Sequence, residues 1–269
     1  MINDKMYAPI PQYTLPQSLG IWAAATLPMA VLGWLATPLL APFIDPHLGI
    51  AGVTRVLLLT LGLIWQFIFT LLIVRREAGM LTWAIFRQRL WLTPPRDPLT
   101  GLSYRRLWLW LLPLFLALFV IEFGITPWLN ERWIAFFPWL AEPPAYSLAT
   151  FMNAPANRLQ LVGAWWFFAL FLILALFNTV LGEELLFHGV LLPRMQGAFG
   201  RWDWAVNGLL YGFYHLHQPW GIPGNILGTC LFAFGARRFQ STWVSIILHS
   251  AQSVFFGVLI LGLVLGMSG

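Results

Sequence analysis

An adjacent pair of acids and two later histidines stand out in this sequence because strongly apolar residues surround each of them. Glu183 and Glu184 form the pair, His215 follows, and His249 comes next with Ser253 four residues after it. Residues four apart share one face of a helix, so His249 and Ser253 are expected to point the same way. Carboxylates and imidazoles are the usual proton carriers of enzymes. The set could therefore serve hydrolysis, metal binding or proton transfer.

Residue type and spacing leave four interpretations open. In the first, Glu183 and His215 activate a water molecule as general base and partner, while His249 and a neighbouring donor stabilise an oxyanion. In the second, Glu183, His215 and His249 hold a divalent metal ion such as zinc, with Glu184 as base. The spacing matches no helical zinc motif such as H-E-x-x-H. The third is the proton relay of a transporter, and the fourth is a polar cluster that holds helices together.

The composition identifies the solvent in which these side chains must work. The 269 residues are 59% hydrophobic and only 9% charged, with 22 Phe and 16 Trp. Because soluble domains carry about 25% charged residues, a soluble fold could not cover this apolar surface. The net charge of +5 is attributed to arginines in membrane loops, and no nucleic-acid partner is expected. The predicted fold class is all-α, a polytopic transmembrane helix bundle whose partner is the lipid bilayer.

Apolar runs bounded by Pro, Gly or Arg predict about seven spans, with a range of six to eight. Their approximate limits are 18–42, 53–74, 107–128, 163–192, 203–218, 223–236 and 241–265. The fifth and sixth are short, and a turn rich in Gly and Pro separates them. Residues 1–160 are predicted to form an N-terminal transmembrane region, and residues 161–269 a catalytic core.

A basic segment, residues 75–106, separates the second and third spans. Within it, residues 80–91 predict an amphipathic helix that lies in the membrane interface. Since cytoplasmic loops carry an excess of Arg and Lys, this segment and the N-terminus with Lys5 are predicted to be cytoplasmic, in a bacterial inner membrane. Its seven arginines are Arg75, Arg76, Arg87, Arg89, Arg96, Arg105 and Arg106. The basic residues predicted on the outer side are Arg55, Arg132 and Arg158.

The depth of the three candidate site residues can be estimated from the inner ends of their helices. At a rise of 1.5 Å per residue, Glu183, His215 and His249 lie roughly 14, 20 and 12 Å deep. Tilt and side-chain reach can close that spread. The sequence therefore predicts that the three groups meet in one cavity, and that this cavity is open to the cytoplasm.

Four other polar residues receive structural interpretations. His217, beside the Gly/Pro turn, is predicted to be an interface residue, and His47 a loop residue. Glu122 is alone in the third span near its outer end, which favours snorkelling or helix pairing over a place in the cavity wall. Asn178 is predicted to make an interhelical hydrogen bond.

Three short motifs resemble those of the CPBP intramembrane proteases, which include the CAAX prenyl endopeptidases and the bacteriocin-processing or self-immunity proteins of the Abi group. That family carries E-E-x-x-x-R, then F-x-x-x-H, then H-x-x-x-N or D on successive helices. Order, spacing and the surrounding apolar sequence match over residues 163–257. The three motifs here read Glu183-Glu184-Leu185-Leu186-Phe187-His188, Tyr211-Gly212-Phe213-Tyr214-His215 and His249-Ser250-Ala251-Gln252-Ser253.

The resemblance implies a role for each of the five candidate catalytic residues. Glu183 would activate water, with His215 as its partner. His249 and Ser253 would donate hydrogen bonds to the oxyanion, and Glu184 would be a structural or accessory acid. Members of the family have been described both as metalloproteases and as metal-independent glutamate proteases, so the resemblance leaves the zinc hypothesis open.

Three positions depart from the family pattern, and the first is Tyr211, which stands where the family has Phe. His188 replaces arginine and lacks its permanently charged fork, and we expect it to pair with Glu184. Ser253 is shorter than the Asn or Asp of the family but can still donate a hydrogen bond. The predicted function is that of an intramembrane endopeptidase acting on a CAAX-type prenylated protein or a related membrane-associated peptide. Two alternatives stay open: an inactive relative serving as membrane scaffold or bacteriocin immunity factor, and a proton-coupled transporter.

Overall fold

Helices, and no strands, form the regular structure of residues 9–267, which the computed structural model describes. The predicted all-α class is confirmed. In chain order the helices are α1 (Leu15–Leu48), α2 (Val53–Ala78), α3 (Trp83–Arg89), α4 (Arg105–Phe136), α5 (Leu148–Asn153), α6 (Pro155–Leu161), α7 (Trp165–Arg194), α8 (Gln196–Phe199), α9 (Asp203–Tyr214), α10 (Ile222–Phe239) and α11 (Thr242–Val264).

Five helices of the described chain are long and apolar enough to cross a membrane: α1, α2, α4, α7 and α11. The protein is therefore an integral membrane protein. The two short predicted spans form α9 and α10, which lie outside this group of five. These two helices pack closely through their glycines, since a Cβ added at Gly208 would lie only 2.5 Å from the Cα of Cys230. Close backbone packing of this kind is typical of helices within membrane bundles.

The turn between α1 and α2 is stabilised by one carboxylate. Asp45 accepts hydrogen bonds from the backbone amides of Gly52 and Thr54, which are unsatisfied donors at the start of α2. The α1 helix continues through His47 and ends at Gly49, whose φ of 73° is left-handed. The prediction that His47 lies in a loop is therefore wrong, because the helix extends past Pro46 to the glycine that stops it.

The basic segment forms one end of the bundle together with the inner ends of α7 and α10. The Arg96 amide donates to the Phe239 carbonyl at 2.8 Å, and the Tyr13 amide donates to the Arg194 carbonyl at 2.7 Å. Lys5, which was predicted on the same side, lies outside the described residues. Within the segment, α3 is shorter than the predicted amphipathic helix; it buries Ile85 while Trp83 is 66% exposed.

A buried ion pair fixes this basic end. Arg194 donates from Nε and Nη2 to the two carboxylate oxygens of Glu77, at 2.9 and 2.7 Å. The Tyr13 hydroxyl donates to the same carboxylate at 2.5 Å. Burial beside Glu77 raises the pKa of the Tyr13 hydroxyl above its usual range. The two-point contact of Arg194 with Glu77, together with the Tyr13 hydrogen bond, holds the N-terminal segment, α2 and α7 together.

Candidate active site

The backbone around the acid pair departs from regular α-helix. Within α7, residues Phe177–Leu181 and Leu185–Leu191 are π-helical, and Gly182 separates the two segments. The Gly182 amide bonds the carbonyl five residues earlier, that of Phe177, at 2.7 Å. A Cβ at Gly182 would lie 2.8 Å from the Leu63 carbonyl oxygen of α2. Local π-helix is frequent at functional sites, and here it fixes where the two carboxylates that follow Gly182 leave the helix.

Glu184 is fully buried between two histidines. Its Oε2 lies 2.7 Å from Nδ1 of His188, and its Oε1 lies 3.0 Å from Nδ1 of His249. The predicted pairing of His188 with Glu184 is thus confirmed. A buried carboxylate needs such partners, because an unpaired charge would be costly inside the bundle. Glu184 therefore orients both imidazole rings.

Glu183, unlike Glu184, lines a cavity. Its carboxylate accepts a hydrogen bond from the Tyr211 hydroxyl at 2.6 Å, and that hydroxyl lies 3.4 Å from Nδ1 of His249. Sequence reasoning did not assign this role to Tyr211, whose hydroxyl is absent from the phenylalanine of the family motif. The extra polar atom in an otherwise apolar position was the signal that could have identified it.

His215 is held by its own helix turn. Its Nδ1 lies 3.1 Å from the carbonyl oxygen of Tyr211, and a carbonyl only accepts, so Nδ1 carries the proton. In the neutral form of the ring, Nε2 then keeps a lone pair. On α11, Nε2 of His249 lies 3.5 Å from the Asn178 side-chain nitrogen, at the limit of the interhelical hydrogen bond expected for Asn178.

One cavity of about 890 Å³ brings the candidate residues together. Glu183, His215, His249 and Ser253 all line it, whereas Glu184 is enclosed by protein. The wall is mostly apolar and aromatic, as binding cavities usually are. The cavity thus presents a group of ionisable side chains within a mostly apolar wall.

The cavity lies in the half of the bundle remote from the basic segment. From α2 it is lined by Arg55, Leu59 and Leu63, in the first half of that helix, whereas the basic segment follows the other end. The sequence predicts the cavity opening and the basic segment on the same cytoplasmic side, whereas the cavity-lining residues of α2 lie toward the other end of that helix. A depth estimated from the end of one helix could not show where along the neighbouring helices the cavity forms.

Three residues take places that the sequence did not predict. Glu122 lines the cavity, a place that the sequence disfavoured, while its side-chain hydrogen bond to Gln252 of α11 agrees with the helix-pairing interpretation. His217 also lines the cavity and is buried, with its ring stacked on that of His215 at a centroid distance of 5.6 Å, so it is not an interface residue. Arg55, which is predicted on the outer side at the start of the second span, is buried in the cavity wall. The contacts between helices decide these positions.

The zinc hypothesis finds no preformed site in residues 9–267. No three His, Cys, Asp or Glu side chains of this range are placed to hold a metal ion together. Glu183 is bonded to Tyr211, and the bonds at Nδ1 of His215 and His249 would leave only Nε2 of each ring as a ligand atom. As arranged, this donor set does not fit tetrahedral zinc, which needs three protein ligands converging on one point.

A comparison with known proteins identifies the same part of the chain. Residues 164–255 match the family model described as Rce1-like, type II CAAX prenyl endopeptidase Rce1-like. The match covers less than half of the chain but contains all three motifs. No curated protein and no solved structure matches the chain. The resemblance drawn from the motifs is thereby confirmed: residues 164–255 of this integral membrane protein are similar to the type II CAAX prenyl endopeptidases, which are CPBP intramembrane proteases.

Proposed function

We propose that the protein is an intramembrane endopeptidase of the CAAX type, which hydrolyses a peptide bond in a prenylated or otherwise membrane-associated peptide. One observation carries the proposal: Glu183 and two oriented imidazoles line a single cavity with mostly apolar walls. The type II CAAX prenyl endopeptidase match over the same helices supports it.

In the proposed reaction, Glu183 accepts a proton from a water molecule as the water oxygen adds to the scissile carbonyl carbon. His215 helps to hold that water through the lone pair of Nε2. The carbonyl oxygen, now negative, accepts hydrogen bonds from protonated His249 and from the Ser253 hydroxyl. The carbon–nitrogen bond then breaks, and the proton passes from Glu183 to the leaving nitrogen.

Glu184 acts in this proposal as a positioning residue. A carboxylate that holds one nitrogen of an imidazole fixes the orientation and proton distribution of the ring. Since Glu184 holds Nδ1 of His249, Nε2 is the nitrogen that would donate to the substrate oxygen, in place of its 3.5 Å contact with the Asn178 side-chain nitrogen. His188 supports the opposite oxygen of Glu184. Glu184 and His188 thus occupy the positions that glutamate and arginine occupy in the family motif.

The two regions predicted from the sequence, residues 1–160 and 161–269, contribute to this site together. The catalytic set lies in the second region, but Arg55 and Glu122 of the first region line the same cavity. We propose that residues 161–269 supply the chemistry and residues 1–160 complete the substrate cavity.

The proposal is tested by mass spectrometry of products after incubation of the purified protein with a farnesylated peptide that ends in a CAAX sequence. We expect one internal bond to be cleaved, and cleavage to be lost in Glu183→Gln and retained in Glu131→Gln. Glu131 is an exposed acid of α4 and is therefore a matched control. A folded protein that cleaves neither this peptide nor its unprenylated form would support the inactive scaffold or immunity factor. Proton-dependent uptake by proteoliposomes without cleavage would support the transporter.

A further inference from the structure

Arg55 places a buried positive charge in the wall of the cavity that contains Glu183. The residue is 7% exposed and lies in the first turn of α2. Charged side chains within membrane spans are costly and usually have a partner or a function. The surroundings of Arg55 therefore decide whether its role is purely structural.

The guanidinium is held firmly but only partly used. It donates from Nη1 to the Gly33 carbonyl at 2.9 Å and from Nη2 to the His217 carbonyl at 2.7 Å. Tyr146 stacks on it, with the guanidinium carbon 4.1 Å from the ring centroid. A guanidinium has five N–H groups, and these two bonds leave others for a ligand.

The charge of Arg55 is not neutralised by an ion pair in residues 9–267. The negative charge of Glu142 stabilises the Arg55 guanidinium through space, but Glu142 is exposed to solvent and makes no hydrogen bond to the guanidinium. The contrast with Arg194 is clear, because Arg194 donates to both oxygens of Glu77. Arg55 is thus preoriented by neutral carbonyls and keeps its charge for another group.

A second polar atom next to Arg55 is also without a partner. Nδ1 of His217 is buried and makes no hydrogen bond to any described residue. Buried polar atoms are nearly always bonded, so such an atom in a cavity wall indicates a place for a ligand. His217 in turn stacks on His215, which links the Arg55 region to the catalytic set.

We propose that Arg55 binds the free C-terminal carboxylate of the peptide substrate, so that the chain runs from Arg55 along the cavity to Glu183. This inference rests on the proposed function. A carboxylate carries one negative charge and matches the planar fork of a guanidinium. A phosphate group is disfavoured, because the other charged residues in the cavity wall are the acids Glu122 and Glu183. Arg55 is in this view a specificity-determining residue, remote from the scissile bond.

The test compares the binding of two farnesylated peptides that differ only at the C-terminus, a free carboxylate and a carboxamide. Dissociation constants are measured by tryptophan fluorescence on the Glu183→Gln protein, which keeps both peptides intact. We expect the carboxamide to bind roughly tenfold more weakly or worse, as for the loss of a charge-assisted hydrogen bond. Equal affinity for the two peptides would overturn the inference without any change at Arg55.

Three variants sharpen the test. Arg55→Gln should remove the preference for the carboxylate. If Arg55→Gln does not fold, Arg55→Lys is measured instead, and it should keep part of the preference. Arg132→Gln should leave the preference intact, since Arg132 is an exposed arginine of α4 that does not line the cavity. A preference that survives in folded Arg55→Gln would overturn the assignment to this residue.

Two further outcomes distinguish a peptide carboxylate from a lipid phosphate, and failure of the anion site from failure of the proposed function. Phosphatidylglycerol vesicles that displace the carboxylate peptide, where phosphatidylcholine vesicles do not, would overturn the inference in favour of a lipid phosphate. A carboxylate preference in a parent protein that cleaves neither peptide would support the anion site while contradicting the proposed function.

Discussion

His188 takes the position of the family arginine and shares a fully buried hydrogen bond with Glu184. We expect His188→Arg to leave peptidase activity nearly unchanged between about pH 5.5 and 8, because an arginine there can also donate a hydrogen bond to the Glu184 carboxylate. His188→Ala should lower stability by about 1–3 kcal/mol, since it leaves one oxygen of a buried carboxylate without its partner. Melting temperature and turnover are measured for both variants. Equal stability and activity of His188→Ala and the parent across this pH range would contradict the bracing role.

The Tyr211 hydroxyl is a second departure that can be tested by restoring the family residue. Tyr211→Phe removes the donor to the Glu183 carboxylate. We expect a loss of about 1.5–3 kcal/mol in the free energy of unfolding, the usual contribution of a hydrogen bond to a charged group. Thermal unfolding in detergent measures it, with Tyr104→Phe as control because no hydrogen bond of that hydroxyl is seen in the described chain. Identical unfolding curves for Tyr211→Phe and the parent would show that the hydroxyl does not hold Glu183.

The interrupted helix α7 is the element on which the site depends. Gly182 separates two π-helical segments, and a Cβ there would meet the carbonyl oxygens of Phe177 and Leu63 at 2.6 and 2.8 Å. Since both are backbone atoms, Gly182→Ala should cost about 1–3 kcal/mol as an overpacked contact and displace the acid pair.

The matched control is Gly124→Ala, in the π-helical segment of α4. Its added Cβ would meet only a side-chain atom of Val120, at 4.0 Å. Alanine there should be neutral or slightly stabilising, because it favours helix over glycine. Melting temperatures and peptide cleavage distinguish the two variants. Full activity of Gly182→Ala would mean that the π-helical geometry is not required.

Five membrane-spanning helices and the buried polar residues were predictable, because long apolar runs have few alternatives to helices and buried charges are rare enough to be noticed. The π-helical segments around Gly182 were not predictable, because the spacing of apolar residues along a helix does not reveal a turn that contains one extra residue. The cavity wall was harder still. Whether Arg55 or Glu122 faces lipid, solvent or cavity is decided by the neighbouring helices, which spacing within one helix cannot reveal.

At the scale of the whole molecule, the arginine-rich end and the cavity lie at opposite ends of α2. If the basic segment is cytoplasmic, as the arginine excess predicts, the cavity opens toward the outer leaflet or the outer side. The side of the membrane that presents the substrate therefore follows from the orientation of the bundle. A substrate that reaches the site from outside would differ from a prenylated protein of the cytoplasm.

Single cysteines measure that orientation directly in a Cys230→Ala background. Leu148→Cys lies at the cavity, where the native residue is 41% exposed, and Leu99→Cys lies in the basic segment at 94% exposure. In intact bacterial cells, a membrane-impermeant maleimide should label Leu148→Cys, and should label Leu99→Cys only after lysis. The reverse pattern would place the cavity on the cytoplasmic side.

The two adjacent acids have different roles in the proposed reaction: Glu183 faces the substrate, and Glu184 holds the imidazoles of His188 and His249. The most direct measurement is kcat/KM for a farnesylated peptide together with melting temperature, for Glu183→Gln and Glu184→Gln. We predict that Glu183→Gln lowers kcat/KM by about 10²–10⁴-fold, as loss of a general base does, with little change in melting temperature. Glu184→Gln should lower the melting temperature as well, because the buried partners of both histidines are weakened. Retention of cleavage by Glu183→Gln, at a rate near that of the parent, would contradict the account.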